Sequence, residues 1–172
     1  MPLAVKMQSP NSQSDVDAQT HFAVVKFVSR CAWLIDENRL EEMLEMFAES
    51  ATYQVLPLEN LQAGLPSALM RCSSRNMLRD RILGLREATV FNVHSDRHIL
   101  GWPQIDRGDV SGEYKVKTPF SCYQTDQEGV TALFAVGFYD DIIRINDDMG
   151  SFLSRTVILD TYSVPSLIGV PL

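Results

Sequence analysis

The last third of the chain constrains its fold most, because it contains three long segments with the alternating pattern of β-strands. The segments are Glu113 to Gln124, Val130 to Ile145 and Phe152 to Thr161. Only short turns separate them, so we predict an antiparallel three-stranded meander. Pro119 in the first segment predicts a bulge or an edge position, because proline lacks the N–H that a central strand donates.

The middle segment carries apolar residues on both faces, with Val136 and Phe138 on one and Ala135 and Ile143 on the other. A sheet with one wet face alternates apolar and polar residues instead, so we expect both faces to be covered. Helices of this chain can cover one face, and a second chain can cover the other. The apolar C-terminal run VPSLIGVPL likewise predicts a docked terminus.

The first half of the chain shows helical periodicity. Apolar residues recur at helical spacing from Asp15 to Asp36, which predicts a long helix with Trp33 in the core. We then expect a second helix over Arg39 to Ala48, a short strand over Ala51 to Leu56, and an irregular connection from Pro57 to Asn76.

The stretch from Met77 to Gly101 joins the helical half to the sheet. Leu78, Ile82 and Leu85 share one helix face, so its first part predicts an amphipathic helix, which Asn76 caps. Helices followed by a long curved antiparallel sheet predict an α+β fold, in which the helices sit in the concave face of a cone.

Composition narrows the class of protein. We expect a flexible polar leader over residues 1–14 and one domain over residues 15–172, with no apolar run of the roughly 20 residues that span a membrane. The net charge of −7 argues against a nucleic-acid partner, which requires cationic surfaces. Cys31, Cys72 and Cys122 are odd in number and far apart, which predicts reduced thiols in a cytoplasm.

His94, Asp96 and His98 form the strongest chemical motif, because alternate residues of a strand project to one side. Two imidazoles and a carboxylate can bind iron, but positions spread over about 13 Å of strand are poorly placed around one metal. A general acid–base site assisted by Tyr53 or Tyr139 is geometrically easier. The interpretation that we favour is structural, with hydrogen bonds to loops, arginines or a partner chain.

Several other residues are candidates for contacts between subunits. The arginines of the joining stretch could bind an anionic substrate, but ion pairs with carboxylates of this chain or of another subunit are the preferred interpretation. No cysteine is followed by x-His or x-x-His, so the chain lacks the paired ligands of a Rieske cluster. The interface candidates are Arg79, Arg81, Arg86, Arg97, His98, Trp102 and Leu172.

Several runs of the sequence together resemble the small (β) subunits of aromatic-ring-hydroxylating dioxygenases. In order, they are MLRDRILGLREA, HSDRHILG and, after the meander begins, RTVILDTYSVPSLIGVPL. The resemblance extends from about Val16 to Leu172. The runs NLQAGLPSALMRCSS and REATVFNVHSDRHILGWPQI are most similar to small subunits of oxygenases that act on aromatic carboxylates, such as terephthalate or salicylate.

The resemblance implies a cystatin-like, NTF2-like cone that is not itself catalytic and that assembles and stabilises a large (α) subunit in the catabolism of aromatic compounds. It implies a trimer of small subunits in an α3β3 hexamer. The large subunit of such enzymes holds the [2Fe-2S] Rieske cluster, the mononuclear Fe(II) and the substrate pocket, and it receives electrons from a ferredoxin or reductase.

Two alternatives remain open at the level of sequence. The same cone fold hosts isomerases and dehydratases, which would here use His94, Asp96, His98 and Tyr53. It also hosts modules that bind a small molecule without chemistry.

Overall fold

The computed structural model describes residues 16–65, 67–87, 93–146, 149–161 and 168–172, so the predicted leader lies outside the described residues. The described helices are α1 (Ala18–Asp36), α2 (Leu40–Leu44), α3 (Leu58–Gln62) and α4 (Arg75–Glu87). The described strands are β1 (Phe47–Pro57), β2 (Met70–Cys72), β3 (His94–Leu100), β4 (Gln104–Arg107), β5 (Glu113–Asp126), β6 (Thr131–Asn146) and β7 (Met149–Leu159). In this part of the chain, no helix is long and apolar enough to cross a membrane.

The strands form one sheet in the order β2-β1-β7-β6-β5-β3, and β4 also pairs with β5. The predicted meander is confirmed, because β5, β6 and β7 are consecutive antiparallel neighbours. The sheet that was predicted as antiparallel is mixed, since β1 runs parallel to β7. No tight turn joins these two strands, so nothing forces them to run in opposite directions.

The helices cover one face of this sheet, which confirms the α+β class. Ala135 and Ile143 of β6 are buried on that face, in the same core cluster as Val28 of α1. Val136 and Phe138 lie on the opposite face and are only half-buried. The chain therefore covers one face fully by itself, and a cover of the other by a second chain remains a prediction.

Some predicted boundaries were wrong. The second helix ends at Leu44 rather than Ala48, because Phe47 starts β1 and stacks on Phe152 of β7, with ring centroids 4.8 Å apart. The connection predicted as irregular contains α3 and β2, and β2 pairs with β1. The last predicted helix begins at Arg75, and Ser74 Oγ rather than Asn76 accepts a hydrogen bond from a backbone N–H of its first turn.

Pro119 lies inside β5, which is neither an edge strand nor bulged at that residue. β3 pairs with β5 as far as Phe120 and β4 begins its pairing at Lys117, so the proline faces the gap between two partner strands. Its carbonyl accepts a hydrogen bond from the Gly101 N–H at 2.7 Å. The position requires no N–H from residue 119, which explains why a proline is tolerated in a long inner strand.

Trp33 is 54% exposed, so its assignment to the core was wrong. Helix α1 turns Val28, Cys31 and Ile35 towards the sheet and leaves Trp33 on its outer side. The apolar stripe of this helix is wider than the face that the sheet covers. The excess apolar surface is therefore presented to solvent.

Candidate functional site

The clearest polar site joins the end of α1 to β3. Asp36 accepts the backbone N–H of His98 with both carboxylate oxygens, at 3.0 and 3.2 Å, and lies 2.6 Å from Nδ1 of the same residue. The side chain of His98 is 0% exposed. The Asp36 side chain therefore contacts both the backbone and the ring of His98, which fixes the orientation of the imidazole inside the protein.

His94 and Asp96 project to the same side of β3 as His98, as predicted, but they make a separate contact. His94 Nε2 lies 3.6 Å from a carboxylate oxygen of Asp96 and 3.2 Å from Nε2 of Gln124. The carboxylate that contacts the His98 ring is therefore that of Asp36 and not that of Asp96. Within the described ranges, no group of three or more His, Cys, Asp or Glu side chains could hold a metal ion.

Tyr53 is not brought to the histidines. Strands β7, β6 and β5 separate its strand from β3, and its hydroxyl donates to the Leu172 backbone oxygen at 3.1 Å and accepts the Leu172 N–H at 2.8 Å. Burial raises the pKa of Tyr53 well above its ordinary value, although the Leu172 contact opposes that shift. Its role in this structure is to attach the C-terminal residue to β1.

Tyr139 lies on the concave face, where its ring stacks on Phe120 at 4.4 Å. Burial raises the pKa of the Tyr139 hydroxyl well above its ordinary value. A phenol in this state does not ionise near neutral pH, so it is poorly suited to act as a base. Tyr139 instead contributes one wall of the site that holds the guanidinium of Arg155.

A buried ion pair beneath α1 was missed from the sequence. Arg155 of β7 donates two hydrogen bonds to Asp141 of β6, at 2.8 and 3.0 Å, and both side chains are inaccessible to solvent. The guanidinium lies 4.2 Å from the ring centroids of Tyr139 and Phe152, and it donates to Cys31 Sγ at 3.3 Å. Burial raises the pKa of Asp141, and the charge of Arg155 opposes this shift.

A signal for this pair was present in the sequence. Asp141 and Arg155 both occupy inward-facing positions of alternating strands, and they are direct partners in the β6–β7 ladder. Opposite charges at inward positions of neighbouring strands indicate a buried pair, because an unpaired charge there is strongly unfavourable.

The three predicted interface arginines of α4 have partners within the chain. Arg86 of α4 pairs with Glu41 of α2 at 2.9 Å, and Arg81 donates to the Ile168 backbone oxygen at 2.8 Å. Arg79 bonds to a residue of its own helix. An ion pair with a carboxylate of the same chain, as the preferred interpretation has it, is therefore found for Arg86, whereas Arg81 and Arg79 bond to uncharged groups.

Arg97 and Trp102 lie on the outer surface beside α1. The Arg97 guanidinium is 5.2 Å from the centroid of the Trp33 ring and 3.6 Å from Asp36. Trp102 is 74% exposed, and its ring stacks on His21 at 5.0 Å. Arg97 and Trp102, like the three exposed arginines of α4, are placed where a second chain could reach them, whereas His98 and Leu172 are buried.

Comparison with known proteins gives a consistent picture. A family model described as the ring hydroxylating beta subunit matches residues 30–166. The chain is 32% identical to the anthranilate 1,2-dioxygenase small subunit of Burkholderia cepacia over 158 residues, which cover 91% of this chain and 96% of that protein. It is 31% identical to subunit beta 1 of the terephthalate 1,2-dioxygenase terminal oxygenase component of Comamonas sp., over 87% of this chain and 96% of that one.

Solved structures agree. The beta subunit assigned to an aromatic-ring-hydroxylating dioxygenase of Novosphingobium aromaticivorans superposes with a TM-score of 0.81 at 30% identity, covering 90% of this chain and 97% of that chain. A protein of Nostoc punctiforme with a cystatin-like fold shares the fold alone, with a TM-score of 0.60 at 14% identity over 88% of this chain and 98% of that chain. The chain belongs to the family of ring-hydroxylating dioxygenase beta subunits.

Proposed function

We propose that this chain assembles and stabilises the large (α) subunit of a Rieske non-heme iron aromatic-ring-hydroxylating oxygenase and is not itself catalytic. The observation that carries this proposal is the family match, which extends over residues 30–166. Relatives of this kind are small subunits of dioxygenases, so the chain is part of an oxidoreductase complex with a large-subunit partner.

The polar interior supports a structural role. Asp36 binds His98 across helix and sheet, and Asp141 binds Arg155 across two strands. A dyad of carboxylate and imidazole is common in acid–base enzymes, but a base must reach the proton that it removes. The enclosed side chain of His98 makes the stand-alone isomerase or dehydratase the weaker proposal.

The cofactors of the reaction fit the partner better than this chain. Cys31, Cys72 and Cys122 are free and buried, and none is paired in sequence with a nearby histidine. We propose that the [2Fe-2S] Rieske cluster and the mononuclear Fe(II) are bound by the large subunit, which also exchanges electrons with a ferredoxin or reductase. The free thiols support a cytoplasmic location.

The half-exposed outer face of the sheet supports self-association. Val136 and Phe138 occupy this face in the middle of the meander. We propose that this face contacts neighbouring small subunits in a trimer within an α3β3 hexamer. The likeness to anthranilate and terephthalate dioxygenase subunits supports an aromatic carboxylate as the substrate of the complex.

Co-expression of this chain with the large oxygenase subunit of the same source tests the proposal. We expect the pair to co-purify, to show the visible spectrum of a Rieske cluster, and to hydroxylate an aromatic carboxylate when electrons are supplied. The chain purified alone should contain no stoichiometric iron and show no turnover. Stand-alone hydroxylation, or failure of the chain to bind the large subunit, would contradict it.

A further inference from the structure

Helix α1 presents large apolar side chains to solvent. Phe22 is 69% exposed, and Lys26, Ser29 and Trp33 follow it at helical spacing, so the four share the outer side of the helix. Two grooves flank this side. One of 280 Å³ separates α1 from β3, and one of 340 Å³ separates α1 from the end of β6 and the start of β7.

We propose that the α1 surface, defined as Phe22, Lys26, Trp33, Arg97 and Trp102, docks a segment of the large subunit that carries apolar side chains beside carboxylates. This inference rests on the proposed function, and it names where the partner binds and what chemistry the partner presents.

The aromatic residues support a protein partner. The chain contains two tryptophans, and both belong to the α1 surface. Stacking of Trp102 on His21 and of Arg97 over Trp33 orders these side chains before binding, which lowers the entropic cost of association. Tryptophan and arginine are the residues most enriched among those that dominate interface energies.

The charges of the surface support an acidic partner segment. Between Ala18 and Ile35 the helix contains no Asp or Glu, although the chain carries 22 acidic residues against 15 basic ones. Lys26 lines the larger groove with Arg30, which lies 3.8 Å from a carboxylate oxygen of Glu42, so Lys26 is the cation there with no ion pair among the described residues. Arg97 shares Asp36 with His98, so its positive charge is only partly compensated. A cationic patch on an anionic protein steers a carboxylate-bearing partner to this side.

The large subunit is the occupant that fits best. The helices cover one face of the sheet, so the α1 surface lies on the side of the molecule opposite the outer face around Val136 and Phe138. That outer face supplies the apolar contact between small subunits in the proposed trimer. The α1 surface therefore remains available for the large subunit.

The two tryptophans provide a direct test. The small subunit is labelled with 5-fluorotryptophan, and Trp33→Phe and Trp102→Phe assign its two fluorine resonances. We expect both resonances to lose their shift between H2O and D2O when unlabelled large subunit binds, because both indoles become inaccessible to solvent.

Variants of the complete chain then measure the energetics. Trp102→Ala and Lys26→Glu should each weaken binding of the large subunit about 10- to 30-fold, as expected for central interface residues. The matched controls Val110→Ala and Arg107→Glu remove an exposed apolar residue and reverse an exposed cation at positions outside both the α1 surface and the outer face of the sheet. They should change the affinity by less than about twofold.

The outcomes separate the two proposals. If the wild-type chain does not bind the large subunit, the proposed function fails. If it binds and the α1 variants bind equally well, the docking site is elsewhere and only this inference fails. If the variants lose self-association but keep the large subunit, a second copy occupies the surface. If removal of residues 1–14 shifts the fluorine resonances of the isolated chain, those residues occupy the α1 surface. Either result overturns the inference.

Discussion

The inner and outer sides of helix α1 differ in whether their side chains are buried within the chain or exposed to solvent. On the inner side, Cys31 contacts Arg155, whose charge is fully matched by Asp141 away from water. On the outer side, Trp33 and Lys26 are exposed to solvent. The inner side is completed by this chain alone and determines whether it folds. The outer side contributes little to folding, which leaves it available for association.

The largest expected effect is on the inner side. Arg155→Met leaves Asp141 buried without its partner, and we expect a loss of about 3–5 kcal/mol in the free energy of unfolding. The double variant Arg155→Met, Asp141→Leu removes both charges and should recover most of that loss. Urea denaturation measures both, with Arg144→Met as the control, since Arg144 pairs with Glu113 near the surface. Equal losses of unfolding free energy in all three variants would refute the contrast between the buried ion pair and a pair near the surface.

The link between α1 and β3 should have an intermediate effect. Asp36→Ala leaves the His98 N–H and Nδ1 without their acceptor, and we expect a loss of about 2 kcal/mol. The exposed Asp109, which pairs with Lys115, provides a control, and Asp109→Ala should cost less than about 1 kcal/mol. Hydrogen exchange at the His98 amide should accelerate only in the first variant. An unchanged exchange rate would show that Asp36 does not protect this amide.

The ion pair between α4 and α2 should have a smaller, pH-dependent effect. The hydrogen bond from Arg86 holds the pKa of Glu41 below its ordinary value of 4.5. A lowered pKa stabilises the fold above the ordinary value and loses that contribution as the pH falls through the folded value. Arg86→Gln should therefore cost about 0.5 kcal/mol at pH 7, because the pair is exposed, and less at pH 3. A stability difference between the wild type and Arg86→Gln that grows as the pH falls would contradict the assignment of the lowered Glu41 pKa to Arg86.

The smallest effect on stability is expected on the outer side. Trp102→Ala removes an exposed ring, so thermal and urea unfolding should change by less than about 0.5 kcal/mol. The same variant is expected to lose affinity for the large subunit. A large loss of stability would mean that Trp102 is part of the folded core, and the distinction between the two sides would then fail.

Local patterns in the sequence predicted the elements of the fold. Strict alternation predicted β5, β6 and β7, and the spacing of Leu78, Ile82 and Leu85 predicted α4. Alternation also placed His94 and His98 on one side of β3. These features depend on periodicity within a segment, which a single sequence records.

Pairings between distant residues were not predictable in the same way. Asp36 precedes His98 by 62 residues, whereas the sequence pattern grouped His98 only with Asp96 and His94 of its own strand. Whether Trp33 is buried depends on how far the sheet extends beneath α1. The sequence of the helix does not contain that information. The parallel pairing of β1 with β7 likewise depends on the path of the chain between them.

The position of Asp36 has a consequence for strand β3, which forms one edge of the described sheet. An edge strand offers unpaired N–H groups to any extended chain that meets it, and this is a common start of aggregation. The Asp36 carboxylate occupies the outward N–H of His98 and adds a negative charge beside it. An incoming strand would have to displace this carboxylate, which makes pairing at the His98 position of the edge less favourable.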